Sequence, residues 1–268
     1  MEILVAVMAG FAVAAVTAPV GISGAVLLLP VQLSALGMHG PAVSATNLLY
    51  NVVATPLGLS RLARSARGHG AEMLVASAAA VPCAVAGAAV RVTWLSDPAL
   101  FRGLLAVLML AMGARLLAVR RARASAPPPT GAGGARPAHG GRALLALAAG
   151  GAALFGAAVG IGGGSLLSPL LIGAAGWLTS RAAVVALTTT LATSVVGLTA
   201  YAVFDRIGFG AAPAAPDWGV GLALGLGGAL GSLVGIGFSR RLGEQPLRFL
   251  LGALVTATGV VYLAGLLP

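Results

Sequence analysis

Lysine is absent from this chain, and charged side chains of all kinds make up only 8% of its 268 residues. A soluble globular domain carries about 25%. Acidic residues are the scarcer sign, six against sixteen basic residues, all of them Arg. Glu72, Asp97, Asp205, Asp217 and Glu244 fall at the ends of apolar segments, which argues against a cation channel or a carboxylate proton relay. A single cysteine, Cys83, excludes an internal disulfide and a cysteine metal site. It reads as a small packing residue inside an apolar helix. His39, His69 and His139 lie in loops, and no metal or cofactor is expected.

What is present is apolar surface, with 59% hydrophobic residues. Apolar segments fall at 2–36, 42–60, 71–92, 99–119, 143–177, 182–203, 217–239 and 247–267. Most approach or exceed the roughly 20 residues that span a bilayer, so the chain reads as an all-α, multi-pass membrane protein. The formal charge of +10 does not imply a nucleic-acid partner. Arginines cluster at segment ends (Arg61, Arg64 and Arg67; Arg120, Arg121 and Arg123), the pattern that orients membrane proteins. Residues 120–142, RRARASAPPPTGAGGARPAHGGR, cannot bury a core and read as a flexible cytoplasmic linker between repeats at 1–119 and 143–268. Val16-Thr17-Ala18 resembles a leader cleavage site, but Glu2 stands where a basic region belongs, so the start is expected to be retained.

Val20–Pro30 (VGISGAVLLLP) recurs at Val159–Pro169 (VGIGGGSLLSP) with seven of eleven positions identical, and each copy opens four apolar segments. The first and fifth segments are too long for one crossing, because about 35 helical residues reach roughly 52 Å against a core of about 30 Å. Each is interrupted, by Pro19, Gly21 and Gly24 or by Gly160, Gly162, Gly163 and Gly164. A broken tilted span and a re-entrant hairpin both fit. With hairpins, thirteen arginines face the cytoplasm and three (Arg91, Arg102 and Arg206) face out; with spans, the split is ten to six. The positive-inside rule prefers hairpins. Three crossings plus a hairpin then invert the second repeat, a common plan of secondary transporters. Packing is the expected role of the glycines in the seventh segment, where Gly231 is matched to Gly87.

Unwound glycine-rich backbone at membrane depth is tolerated only inside protein or against a wet cavity. Half-helices starting near Ser23–Gly24 and Gly163–Ser165 offer N–H groups and positive dipole ends, an anion site without lysine. Polar side chains follow at Ser44, Thr46, Asn47, Tyr50 and Asn51, and at Thr188, Thr189, Thr190, Thr193 and Ser194. Thr46, Asn47, Tyr50 and Asn51 share a helical face, as do Thr189, Thr190, Thr193 and Ser194. A two-residue insertion pairs Ala45-Thr46-Asn47 with Ala186-Leu187-Thr188. Against this stands the habit of Ser and Thr of bonding their own helix. Gly21-Ile22-Ser23-Gly24 has the look of an intramembrane protease serine motif, but no histidine lies within a membrane segment to serve as base, and no enzyme is expected.

The paired segments Gly21–Pro30 and Gly160–Pro169, the following Gly37 and Gly176, the polar patches and the Arg-rich centre together resemble the TauE/SafE family of sulfite and organosulfur-anion exporters. The resemblance spans nearly the whole chain. It implies transport of a small anion, sulfite or a sulfonate, across the plasma (inner) membrane by export or uptake. The alternatives are uptake of another small anion on the same scaffold and a non-transporting membrane subunit that binds a partner protein; the expected surroundings are the lipid bilayer, with a homodimer as one assembly. It carries substrate binding to Gly21, Ser23, Gly24, Thr46, Asn47, Gly160, Gly162, Gly163, Gly164, Ser165 and Thr188, and structural roles to Pro30 and Pro169. Asn51 and Thr189 complete the expected shell, and Ala25 stands where the second copy has Gly164.

Overall fold

The computed structural model describes residues 2–18, 23–62, 68–125, 141–242 and 244–265, with 118–125, 179, 236–242 and 244–248 described by backbone alone. Gly21, Arg64, Arg67 and residues 126–140 of the linker lie outside the described residues. The elements are α1 (Glu2–Thr17), α2 (Ala25–Pro30, continued by a π-helical turn over Val31–Ala35), α3 (Pro41–Arg61), α4 (Gly70–Thr93) and α5 (Pro98–Ser125). In the second half they are α6 (Gly141–Val159), α7 (Gly164–Gly173), α8 (Thr179–Arg206), α9 (Trp218–Leu242) and α10 (Glu244–Ala264). Five helices are long and apolar enough to cross a membrane: α4, α5, α6, α8 and α9. Leu74, Leu147, Leu226, Leu230 and Val261 stay exposed, as suits side chains that face lipid.

Small residues decide which helices meet. On α9, a Cβ at Gly227, Gly231 or Gly235 would collide with the backbone of Val7, Phe11 or Ala15, so α1 lies in contact along α9 and runs in the same direction. On α4, Gly87 holds the backbone of Leu154, and Cys83 lies against Gly150, so α6 runs beside α4 in the same way. Such i, i+4 glycines let helix backbones approach, and the contact is one of dispersion and close fit rather than of hydrophobic drive. Cys83 is indeed a packing residue. α5 and α10 run antiparallel, with Gly113 at Thr256 and Gly259 at Leu110.

α3 sits at the centre. Leu49, Val53 and Tyr50 fill the space left by Gly221, Gly225 and Gly228 of α9. On its other side α3 crosses α8 antiparallel, with Leu48 against Gly197 and Leu187 against Gly58. That register sets Asn51 level with Ser194. At one end of the molecule the start of α3 meets the ends of α4 and α8: Arg91 donates to the Gly40 carbonyl at 2.8 Å and Ala211 N–H to the Val92 carbonyl at 3.3 Å. At the other end Arg181 of α8 bonds Glu72 of α4 at 2.8 Å and stacks on Trp177. Arg91 is not a loop residue. It is buried, donating also to Ser44 and the Leu95 carbonyl, with its guanidinium 3.8 Å from the centre of the Phe101 ring.

Candidate functional site

Two helix breaks converge on α3 and α8. The second, between α6 and α7, is built by Gly160 and Gly162 at φ of 90° and 75°, a left-handed backbone that L side chains rarely adopt. The carbonyls that end α6 all find donors, as a buried helix end requires. Gly156 O accepts from the N–H groups of Gly160, Ile161 and Gly162, Ala157 O from the Tyr201 hydroxyl at 3.0 Å, and Ala158 O and Val159 O from Ser44. Past the break, Gly164 N–H at the start of α7 donates to Thr190 Oγ1 at 3.0 Å. A Cβ on Gly164 would strike the Ala186 carbonyl, so α7 starts hard against α8.

At the first break Ser23 Oγ donates to Asn51 Oδ1 at 3.0 Å and accepts from Ala25 N–H at 3.3 Å. Gly24 has an ordinary helical φ of −60°, so glycine is there for room: a Cβ would stand 2.5 Å from Tyr50 Oη. The breaks meet at Asn51. Its Oδ1 faces Ser23 of the first, and its Nδ2 would be 3.2 Å from a Cβ on Gly162 of the second. Ser194 Oγ would lie 3.3 Å from that same Cβ, and Thr193 Oγ1 2.9 Å from one on Gly163. Asn51 Nδ2, Thr193 Oγ1 and Ser194 Oγ are all buried without a hydrogen-bond partner. An orphaned buried polar atom costs about 1–3 kcal/mol, so three beside the adjacent Gly162 and Gly163 are expensive to keep unless something else binds them.

Other expected site residues are placed differently. Asn47 is fully engaged, donating to the Ala25 carbonyl at 2.7 Å and accepting from Gln32 at 2.9 Å; it ties α2 to α3. Thr46 turns away and accepts from Asp217 N–H at 2.8 Å, at the start of α9. Thr188 and Thr189 bond the Val184 and Val185 carbonyls of their own helix, and Ser165 bonds the Ile161 carbonyl. The side chains nearest the glycines of the second break are Thr190, Thr193 and Ser194 instead. The pairing of Asn47 with Thr188 is therefore corrected. Ala25, Gly24 and Ser23 face Asn47, Tyr50 and Asn51, while Gly164, Gly163 and Gly162 face Thr190, Thr193 and Ser194. Four inserted residues, not two, bring the halves into register.

Pro30 and Pro169 lie within the short helical arms, and the α5–α10 pair reaches both of their carbonyls. The Pro30 carbonyl accepts from Tyr262 of α10 at 3.4 Å, and the Pro169 carbonyl from Arg115 of α5. A narrow crevice reaches Ser23 between α1, α2 and the α5–α10 pair, lined by Thr17, Val26, Met112, Leu116 and Leu251. Among the described residues no three His, Cys, Asp or Glu side chains gather as a metal site. The chemistry available at the convergence is that of neutral donors: an amide, hydroxyls and the start of α7. Compared with known families, residues 6–262 match the model described as sulfite exporter TauE/SafE. No curated protein and no solved structure matches the chain.

Proposed function

Because the chain belongs to the sulfite exporter TauE/SafE family, we propose that it moves sulfite or an organosulfonate across the plasma membrane, by alternating access to a site between its two helix breaks. Family and helices together make it a multi-pass membrane protein of a transporter class handling sulfur anions. The observation that carries the site is the set of unpartnered buried donors, Asn51 Nδ2, Thr193 Oγ1 and Ser194 Oγ, beside Gly162 and Gly163. An oxyanion has lone pairs for all of them, and the positive dipole end of α7 starts beside them at Gly164.

The packing supports inverted repeats with re-entrant hairpins. α1 follows α9 inward from the Gly40 end, and α2 returns to that end, where Ser34 meets Tyr262. α6 follows α4 inward from the Glu72 end, and α7 returns toward Trp177 and Arg181. Each hairpin is gripped by the α5–α10 pair through a proline carbonyl. Rocking of one hairpin opens the site to one face while the other keeps it shut, the motion expected of such repeats. No step in this scheme makes or breaks a covalent bond, which is why we read the chain as a carrier and not an enzyme.

The test is flux into proteoliposomes of purified protein, with labelled sulfite, sulfate and methanesulfonate, against protein-free vesicles. Saturable sulfite or sulfonate flux is expected. Flux no greater than in empty vesicles for all three anions contradicts the proposal.

A further inference from the structure

The donors around Gly162 are all uncharged, and the positive charge closest to them in the bonding network is already committed. Arg91 is the one charged side chain among the fully buried described residues. Its Nε donates to Ser44 Oγ at 3.2 Å, its Nη2 to the Gly40 carbonyl at 2.8 Å and its Nη1 to the Leu95 carbonyl, and Phe101 covers its face. Ser44 lies two turns of α3 from Asn51, roughly 10 Å. No Asp, Glu or His is among the buried residues described.

Resting on the site proposed above, we infer that it takes the singly charged form of a small sulfur oxyanion, hydrogen sulfite or an alkylsulfonate, and turns away dianions. The desolvation cost of an ion rises with the square of its charge, so a dianion costs about four times as much to bring in. Three neutral side-chain donors and a helix N-terminus suit one negative charge and not two. The hydroxyls of Thr193 and Ser194 add a second kind of fit. A hydroxyl can turn to accept, so the O–H of hydrogen sulfite finds a partner where an ammonium or guanidinium would offer none.

A proton then crosses bound to the substrate. The titratable groups that face the convergence are Tyr50 of α3 at Gly24, Tyr201 of α8 on the Ala157 carbonyl, and Arg91 of α4 on Ser44. Phenols and guanidiniums do not exchange protons near neutral pH. Glu72 pairs with both His69 and Arg181 at the far end of α4. Hydrogen sulfite released on the other side gives up its proton to solution, so sulfite movement responds to a pH gradient without a proton relay in the protein.

The test is counterflow in proteoliposomes holding the full chain, at equal pH on both faces, across the range in which sulfite titrates. The KM for total sulfite is expected to rise with pH as hydrogen sulfite is depleted, approaching about tenfold per pH unit. The KM for methanesulfonate, a monoanion throughout, is expected to stay constant, with sulfate at least about tenfold the weaker competitor. An imposed pH gradient is expected to drive sulfite and leave methanesulfonate unaffected. A sulfite KM that is flat or falls with rising pH, or sulfate competing as well as methanesulfonate, overturns the inference. Asn51→Ala, Thr193→Ala and Ser194→Ala separate the two failures. If they weaken every anion while the pH law is absent, the site stands and the monoanion rule falls. If all three change nothing, the site falls and the rule with it.

Discussion

Gly162 is constrained twice, once by its backbone and once by its surroundings. Its φ of 75° is a left-handed conformation, and a Cβ there would stand 2.6 Å from the Thr190 methyl. Gly176 has a similar φ of 65° with nothing within 4 Å of its missing Cβ. Gly176→Ala therefore bears only the backbone cost, about 1–2 kcal/mol. Gly162→Ala bears that cost plus a clash inside the site. It is expected to show the larger drop in melting temperature and to lose anion flux that Gly176→Ala keeps; equal behaviour of the two would contradict this packing. At this scale the spacing in the sequence picks the α8 face that meets the second break, but not the side chains nearest its glycines. Thr190, Thr193 and Ser194 share a helical face with Thr189, but matching Ala45 to Ala186 shifted the register by two residues. Insertions between the break and the next helix leave no trace in residue type, so contacts alone set their length. The hold of Gln32 on Asn47 is not legible in the sequence, because a lone amide in an apolar run has no partner visible there.

Helices here are legible one at a time and much less so in pairs. The breaks, the apolar runs and the packing role of the α9 glycines follow from composition and spacing. That α9 pairs with α1, and α4 with α6, does not, because each pair joins opposite halves of the chain through interchangeable Gly and Ala surfaces. The counterpart of Gly87 is corrected for the same reason. Gly87 meets Leu154 and Gly235 meets Ala15, residues that stand five positions before Val159 and Val20 of the duplicated segment, so Gly235 and not Gly231 is its equivalent. Gly231 is still a close contact, since a Cβ there enters the Phe11 backbone. Gly231→Val is expected to force α1 from α9 and destabilise the fold by about 1–3 kcal/mol. Thermal unfolding in detergent checks it, with Gly151→Val on open α6 surface as the comparison. Similar melting temperatures would contradict the α1–α9 contact.

Across the whole molecule, charge and packing point to one orientation. The end where Glu72 meets Arg181 is expected on the arginine-rich side, and the end where Arg91 meets Gly40 and Ala211 meets Val92 on the poor one. In a Cys83→Ala background, a cysteine placed by Ala211→Cys is expected to react with an impermeant maleimide added to intact cells. One placed by Ala175→Cys is expected to react only after the membrane is opened. Both residues are exposed. Labelling of the two from the same side would contradict hairpins that re-enter from opposite faces. The positive-inside rule, which acts on loops and needs no tertiary structure, leads to the same expectation from the arginine counts, although Arg91, one of those counted, is buried.

The central claim is that the two helix breaks share one anion site at Asn51. Its most direct test is the affinity of purified Ser194→Ala and Asn51→Ala protein for methanesulfonate, read as thermal stabilisation by added anion beside the melting temperature without it. Each variant is expected to keep a folding transition and lose about tenfold or more in affinity, the worth of one charge-assisted hydrogen bond. Wild-type affinity in both would place the anion elsewhere and contradict the account.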